Sequence, residues 1–237
     1  LGTLADPIFR NEPDTDWVLP ENRKWADIIR KKWQPTENSE VRKIPLIIGN
    51  TEVKSKRKQK EFFDPSQLNN PNKADIPAVF SVALATKTDV IKAVKIAKDD
   101  PSNWSETTLL ERHELLSRAA LNMRKKRGDL IGVAAAVCGK TFYDTDSEIS
   151  EAIDFIEYYP HSLRLIEQHT SLKLSPLGVV LVIPPWNFPI AIPTGGVAAA
   201  LACGNTVLFK PSPLAFPLGA EIAKCFWDAG IPREALQ

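Results

Sequence analysis

Along most of this 237-residue chain, apolar residues recur at helical spacing, and only toward its end do they run together. In DTDWVLPENRKWADIIRKKW, Trp25, Ile28, Ile29 and Trp33 fall at i, i+3, i+4 and i+8. That spacing predicts a charged helix with a narrow apolar stripe, and Pro20 suits its first turn. Such a helix must dock on something, so residues 1–43 read as an N-terminal arm or linker. IPLIIGNTEV follows, with Gly49-Asn50 placed to turn a short hairpin. From Thr86 to about Gln168 the spacing is helical. Thr86-x-x-Asp89 has the form of a capping box, with Asp in place of the usual Glu or Gln. Leu109, Leu116 and Leu121 mark the apolar side of the next helix, and GDLIGVAAAVCGKT makes another. Ile149, Ile153 and Ile156 share one face of a longer one.

The texture changes from residue 172. LGVVLVI is a continuous apolar run, which predicts a strand buried on both faces of a parallel sheet. IAIPTGGVAAALA is a helix of small residues, able to pack close to a sheet, and Gly204-Asn205 caps it. TVLFK is a second strand, and Leu218, Ile222 and Phe226 mark an amphipathic helix that Gly230 ends. β-α-β-α at short spacing is the start of a doubly wound parallel sheet, so the expected class is α/β, a helical region followed by that unit. The last helix has no legible third strand to return to, which predicts that the natural polypeptide continues.

Composition narrows the function classes. At 43% hydrophobic and 25% charged the chain has the balance of an ordinary globular protein. Its net charge of +1 gives no reason to expect nucleic acid or a membrane surface. No apolar run approaches the roughly 20 residues that span a bilayer. The basic run KSKRKQK has no interleaved aromatics and reads as a solvated loop. Cys138, Cys203 and Cys225 form no C-x-x-C pair, which predicts a reducing, cytoplasmic setting, and all three read as packing residues. His113, His161 and His169 lack metal-ligand spacing and read as helix-surface residues, so no metal site is expected. Gly139-Lys140-Thr141 invites a phosphate-loop reading, but position 134 is alanine where the motif needs glycine, and the preceding segment is helical.

The chemistry gathers where strands end. Ligands of open parallel sheets sit beyond the carboxyl ends of the strands, and both unusual clusters, PPWNFP and KPSP, occupy that position. On residue type alone, Asn187 reads equally as a donor to a reacting group or as the cap of the next helix.

The pairing of these clusters resembles the aldehyde dehydrogenase superfamily: Gly178 to Val180, Pro185 to Pro189, Gly204 to Val207 and Lys210-Pro211 match its strand, P-W-N-F-P, G-N-T-V and K-P elements. FRNEPDTDWVLPENRKWADIIRKKW, SEAIDFIEYYPHS and KCFWDAGIPREALQ are similar to the subgroup fused to proline dehydrogenase, which oxidises L-glutamate γ-semialdehyde, the open form of Δ1-pyrroline-5-carboxylate, to glutamate with NAD. The resemblance implies that residues 44–237 are an incomplete NAD(P)-binding domain without its catalytic domain. It implies that Asn187 is an oxyanion donor, that Pro184, Pro185 and Trp186 contact the cofactor, and that Lys210 bonds its adenosine ribose. Phe188 becomes aromatic lining beside the aldehyde and Glu151 a carboxylate near the substrate anchor.

The family's nucleophilic cysteine and general-base glutamate match positions beyond Gln237, so this chain alone is expected to be inactive. The implied partners are a small aldehyde, the rest of the polypeptide with a proline dehydrogenase module, and further copies in a homo-oligomer. A departure concerns the cofactor. Many relatives carry glutamate three residues after the lysine, where this chain has Pro213, with Ser212 before it as a hydroxyl donor. NAD is the expected cofactor, with NADP possible. A non-catalytic binding or assembly protein that kept part of the fold is the alternative.

Overall fold

The computed structural model describes residues 9–36, 38–53, 58–67, 69, 77–169 and 171–237. Residues 1–8 of the arm and 54–57 of the basic run lie outside the described residues. Helix α1 (Pro20–Trp33) begins on its proline and buries Ile29 and Trp33. It lies on α4 (Arg127–Cys138), where a Cβ on Gly132 would come within 2.0 Å of the Trp33 indole. The indole therefore rests on bare backbone. Ile28 does not share this burial: it is 63% exposed, because it points about 100° away from Ile29 around the helix. Trp25 also lies against α4, at Gly128, and stacks on Trp17 with ring centroids 5.9 Å apart.

Before α1, charged side chains of the helical layer hold the chain. Helices α2 (Lys87–Asp99), α3 (Leu109–Lys125), α4 and α5 (Phe142–Glu167) form this layer. The Glu12 amide donates to Asp154 (2.7 Å) and the Thr15 amide to Asp146 (2.6 Å), both on α5. The Glu12 carboxylate takes Arg124 (2.8 Å) and Arg127 (3.2 Å).

The helix starts follow the capping chemistry. Thr86 and Asp89 form the expected reciprocal box at α2, and Thr108 and Glu111 form another at α3. Leu109 and Leu116 are buried, but Leu121 is 38% exposed and stands off the apolar face. His113 overturns its surface reading: three residues before Leu116 on the same face, it is buried in the core. Ile149, Ile153 and Ile156 are fully buried along α5 as their spacing predicts.

Strands β1 (Arg42–Ile44), β4 (Gln59–Phe62) and β5 (Phe80–Ala83) form a sheet in the order β1-β5-β4. Strands β2 (Leu46–Ile48) and β3 (Thr51–Val53) make the hairpin, turning at Gly49 with φ 53°. The last third is β6 (Val179–Val182), α6 (Ala191–Ala202), β7 (Thr206–Phe209) and α7 (Phe216–Trp227). β6 and β7 pair in parallel, Val179 opposite Thr206 and Val182 opposite Phe209.

Two expectations change here. β6 is not buried on both faces: Val182 is buried, while Leu181 and Ile183 are 56% and 59% exposed. Helix α6 packs on the Val182 side, and α2 also comes against the β6-β7 pair, where the Thr206 hydroxyl donates to the Ala97 carbonyl (2.8 Å), yet Leu181 and Ile183 stay exposed. Secondly, the crossover through α7 does return. Val207 donates to Ala235 (2.7 Å), Gln237 to Val207 (3.0 Å) and Phe209 to Gln237 (2.8 Å), a parallel pairing on the free edge of β7. Gly230, at φ 103°, and Pro232 turn the chain back toward it.

Candidate functional site

Parallel pairing brings the two motif clusters to one edge. The Lys210 amide donates to the Val182 carbonyl (3.0 Å), so the segment after β7 leaves the sheet beside the segment after β6. Pro184 is buried, Pro185, Trp186, Asn187 and Phe188 are exposed, and Pro189 and Ile190 are buried again. The turn is thus anchored at both ends and open in the middle. It presents an indole, a carboxamide and a phenyl ring together.

Small residues let α6 sit close beneath this turn. A Cβ on Gly195 would come within 2.9 Å of the Phe155 ring on α5, and one on Gly196 within 3.0 Å of Val182 on β6. Adjacent glycines on α6 thereby face different neighbours, and the helix wedges between α5 and the sheet.

The start of α6 is capped from elsewhere in the fold. Glu148, on α5 and buried, accepts from the amides of Ile190 (2.7 Å) and Ala191 (3.0 Å). Its other oxygen takes the Lys140 ammonium at 2.5 Å, and that ammonium donates to the Asn187 carbonyl at 3.2 Å. These are the groups that satisfy the free amides of a helix N-terminus, and Asn187 is not one of them. Among the described residues, no hydrogen bond holds the Asn187 carboxamide. Sequence reasoning missed Glu148 and Lys140. A signal existed: Glu148 adjoins Ile149 at the buried side of α5, where a carboxylate needs partners.

The second cluster is built more loosely. Lys210 is exposed, and its ammonium reaches the adjacent Pro211 carbonyl at 3.3 Å. Ser212 is buried, and its hydroxyl accepts from the Leu214 amide at 3.4 Å. Gly219 on α7 admits Pro211, since a Cβ there would come within 2.1 Å of the proline ring. Lys60, from β4, donates to the Pro213 carbonyl and brings a second cation to this turn. Glu151 is exposed on α5, three residues after Glu148 and four before Phe155, which puts it on the flank that faces α6. Burial, with the charge of Glu151, raises the Tyr159 phenol above its ordinary range.

Burial raises all three cysteine thiols. Burial pushes the Cys225 thiol up to about 12 and the Cys138 thiol up to about 11, which leaves almost no thiolate at neutral pH. Cys203 departs from the packing reading: it sits exposed at the end of α6, where the helix leaves the core. Its thiol is also raised by desolvation. Among the described residues no group of three His, Cys, Asp or Glu side chains forms a metal-binding cluster, and no helix is long and apolar enough to cross a membrane.

A sequence model described as "Aldehyde dehydrogenase family" matches residues 59–237. A 1-pyrroline-5-carboxylate dehydrogenase of Geobacillus sp. (strain WCH70) is 32% identical over 96% of this chain and 44% of its own length. A solved 1-pyrroline-5-carboxylate dehydrogenase from Thermus with bound NAD superposes with a TM-score of 0.84 at 30% identity, over 97% of this chain and 44% of that one. Proline utilization A from Bdellovibrio bacteriovorus superposes at 0.85 with 28% identity, over 97% of this chain and 24% of that one. The chain spans less than half the length of the curated relatives it matches.

Proposed function

The chain belongs to the aldehyde dehydrogenase family, and from that premise we propose that it forms the N-terminal portion of an NAD-dependent enzyme that oxidises L-glutamate γ-semialdehyde to L-glutamate. The observation that carries this reading is the exposed carboxamide of Asn187, which makes no hydrogen bond among the described residues, on a turn whose helix is already capped by Glu148. A cap would be spent on the helix. A carboxamide not so spent is available to a substrate.

Oxidation of an aldehyde begins with attack on the carbonyl carbon, which puts negative charge on its oxygen. A donor fixed in advance at that oxygen stabilises the charge without reorganising. The Asn187 NH₂ fills this role, and Phe188 and Trp186, exposed in this chain, offer apolar faces beside it. Glu151 lies on the neighbouring flank as the carboxylate near the substrate. The nucleophile and general base would come from outside the 237 residues, as the family resemblance implies, and the raised Cys138, Cys203 and Cys225 thiols agree with this for the nucleophile.

The residues at the sheet edge fit a dinucleotide. Lys210 is an exposed ammonium whose only acceptor among the described residues is its neighbour's carbonyl, so a ribose hydroxyl would complete it. Pro184, Pro185 and Trp186 would line the path toward the substrate, and NAD, when bound, supplies the hydride acceptor. Pro213 offers no carboxylate to repel a 2′-phosphate, while Lys210, Lys60 and the Ser212 hydroxyl stand near as donors. NADP is therefore a measurable second cofactor. Residues 44–237 would then be part of an NAD(P)-binding domain and residues 1–43 an arm. A proline dehydrogenase module in the same polypeptide, a homo-oligomeric assembly and a cytoplasmic setting complete the proposal.

Asn187→Ala tests it. In the complete dehydrogenase the acylation rate should fall roughly 10²–10³-fold with NAD affinity near wild type. Unchanged acylation kinetics would refute the assignment.

A further inference from the structure

We propose that Lys140 and Glu148 are positioning residues that hold the Asn187 carboxamide in register with the reacting aldehyde, an inference that rests on the reading of Asn187 as the oxyanion donor. The turn from Ile183 to Pro189 contains three prolines, which donate nothing. Among the described residues, no main-chain hydrogen bond reaches into it from a neighbouring loop. Its geometry is fixed by two charged side chains instead. Glu148 grips the amides on the far side of Pro189, at Ile190 and Ala191. Lys140 bonds Glu148 and reaches back over the near side, to the Asn187 carbonyl and to within 5.1 Å of the Phe188 ring centroid. One ion pair therefore clamps the backbone on both sides of the proline that follows the donor.

The choice of charges also has a chemical reason. A buried ion pair is a poor device for stability alone, since well-packed apolar residues do as well or better. A lone carboxylate cap would add negative charge beside a site where an oxyanion develops. The Lys140 ammonium offsets that charge, so the turn is held firmly at no electrostatic cost to the transition state.

The test is a double-mutant cycle in the complete dehydrogenase, using Lys140→Met, Asn187→Ala and the pair. Methionine keeps the chain length over Phe188 but cannot bond Glu148 or the Asn187 carbonyl. Lys140→Met should lower kcat about 10-fold or more, with the NAD Kd and the semialdehyde KM within about twofold. Added to Asn187→Ala, it should cost less than about twofold further, because its effect passes through the carboxamide that is already gone. A full additional loss in the double variant overturns the proposal, as does an unchanged kcat in Lys140→Met beside a slow Asn187→Ala. An unchanged kcat in Asn187→Ala overturns instead the reading of Asn187 on which the pair depends. Glu148→Gln is the second variant: it keeps an acceptor for both amides and releases Lys140, so it should fold and show the same kcat loss. If neither Lys140→Met nor Glu148→Gln folds, the pair is structural and the proposal fails.

Discussion

At the scale of single residues, the most informative positions are polar groups in unexpected surroundings. His113 is buried among apolar neighbours, and its Nδ1 finds no partner among the described residues. Desolvation, with the nearby charges of Arg164 and His161, lowers its imidazole from 6.5 to about 4. The folded state thus binds the proton later than the unfolded chain does. Its contribution to stability is present above about pH 6.5 and is lost as pH falls toward about 4, by at most roughly 3 kcal/mol. The urea midpoint should therefore drop between pH 7 and pH 5, and His113→Gln should remove most of that drop. An unchanged pH slope in the variant would mean that other groups drive it. Glu151 makes a different kind of claim. Glu151→Ala in the complete dehydrogenase should lower kcat/KM for the semialdehyde well beyond any loss of stability; an unchanged value would make it a solvated helix residue.

Among the elements, what was legible in the sequence was whatever local chemistry decides. The box at Thr86 and Asp89, the Gly49 turn and the isoleucine face of α5 each depend on neighbours within four residues, and each stands as the spacing predicts. What stayed hidden depends on partners far along the chain. Glu148 finds Ile190 and Ala191 across 42 and 43 residues, and no pattern in either segment announces the pairing. Ala235 and Gln237 complete an edge of β7 through a segment too short to show a strand period. The exposure of Leu181 and Ile183 is hidden as well, because an unbroken apolar run shows composition but not cover. Close packing between elements yields its own prediction. Gly219→Ala puts a methyl where the Pro211 ring now lies, and α7 must separate from the turn that carries Lys210. Stability should fall by about 1–3 kcal/mol, despite alanine's better helix propensity, and NAD should bind more weakly. Wild-type stability and NAD affinity in that variant would show that the turn is not set by this contact.

On the scale of the whole molecule, a helical layer holds the arm by its carboxylates and arginines, and a parallel sheet offers two motif clusters at one edge. Cofactor choice belongs to this scale, since it is read from groups on β4, β7 and the turn that follows. The complete dehydrogenase should prefer NAD and still use NADP measurably. A preference in kcat/KM above about 10³-fold, roughly 4 kcal/mol, would mean that another group supplies the discrimination. The central claim is a division of labour: this chain supplies the oxyanion donor and part of the cofactor site, and the nucleophile lies elsewhere. NADH formation from L-glutamate γ-semialdehyde tests it most directly, followed at 340 nm for the complete polypeptide and for the 237-residue chain alone. The account predicts turnover by the first and none by the second; turnover by the isolated chain, or none by the complete polypeptide, would contradict it.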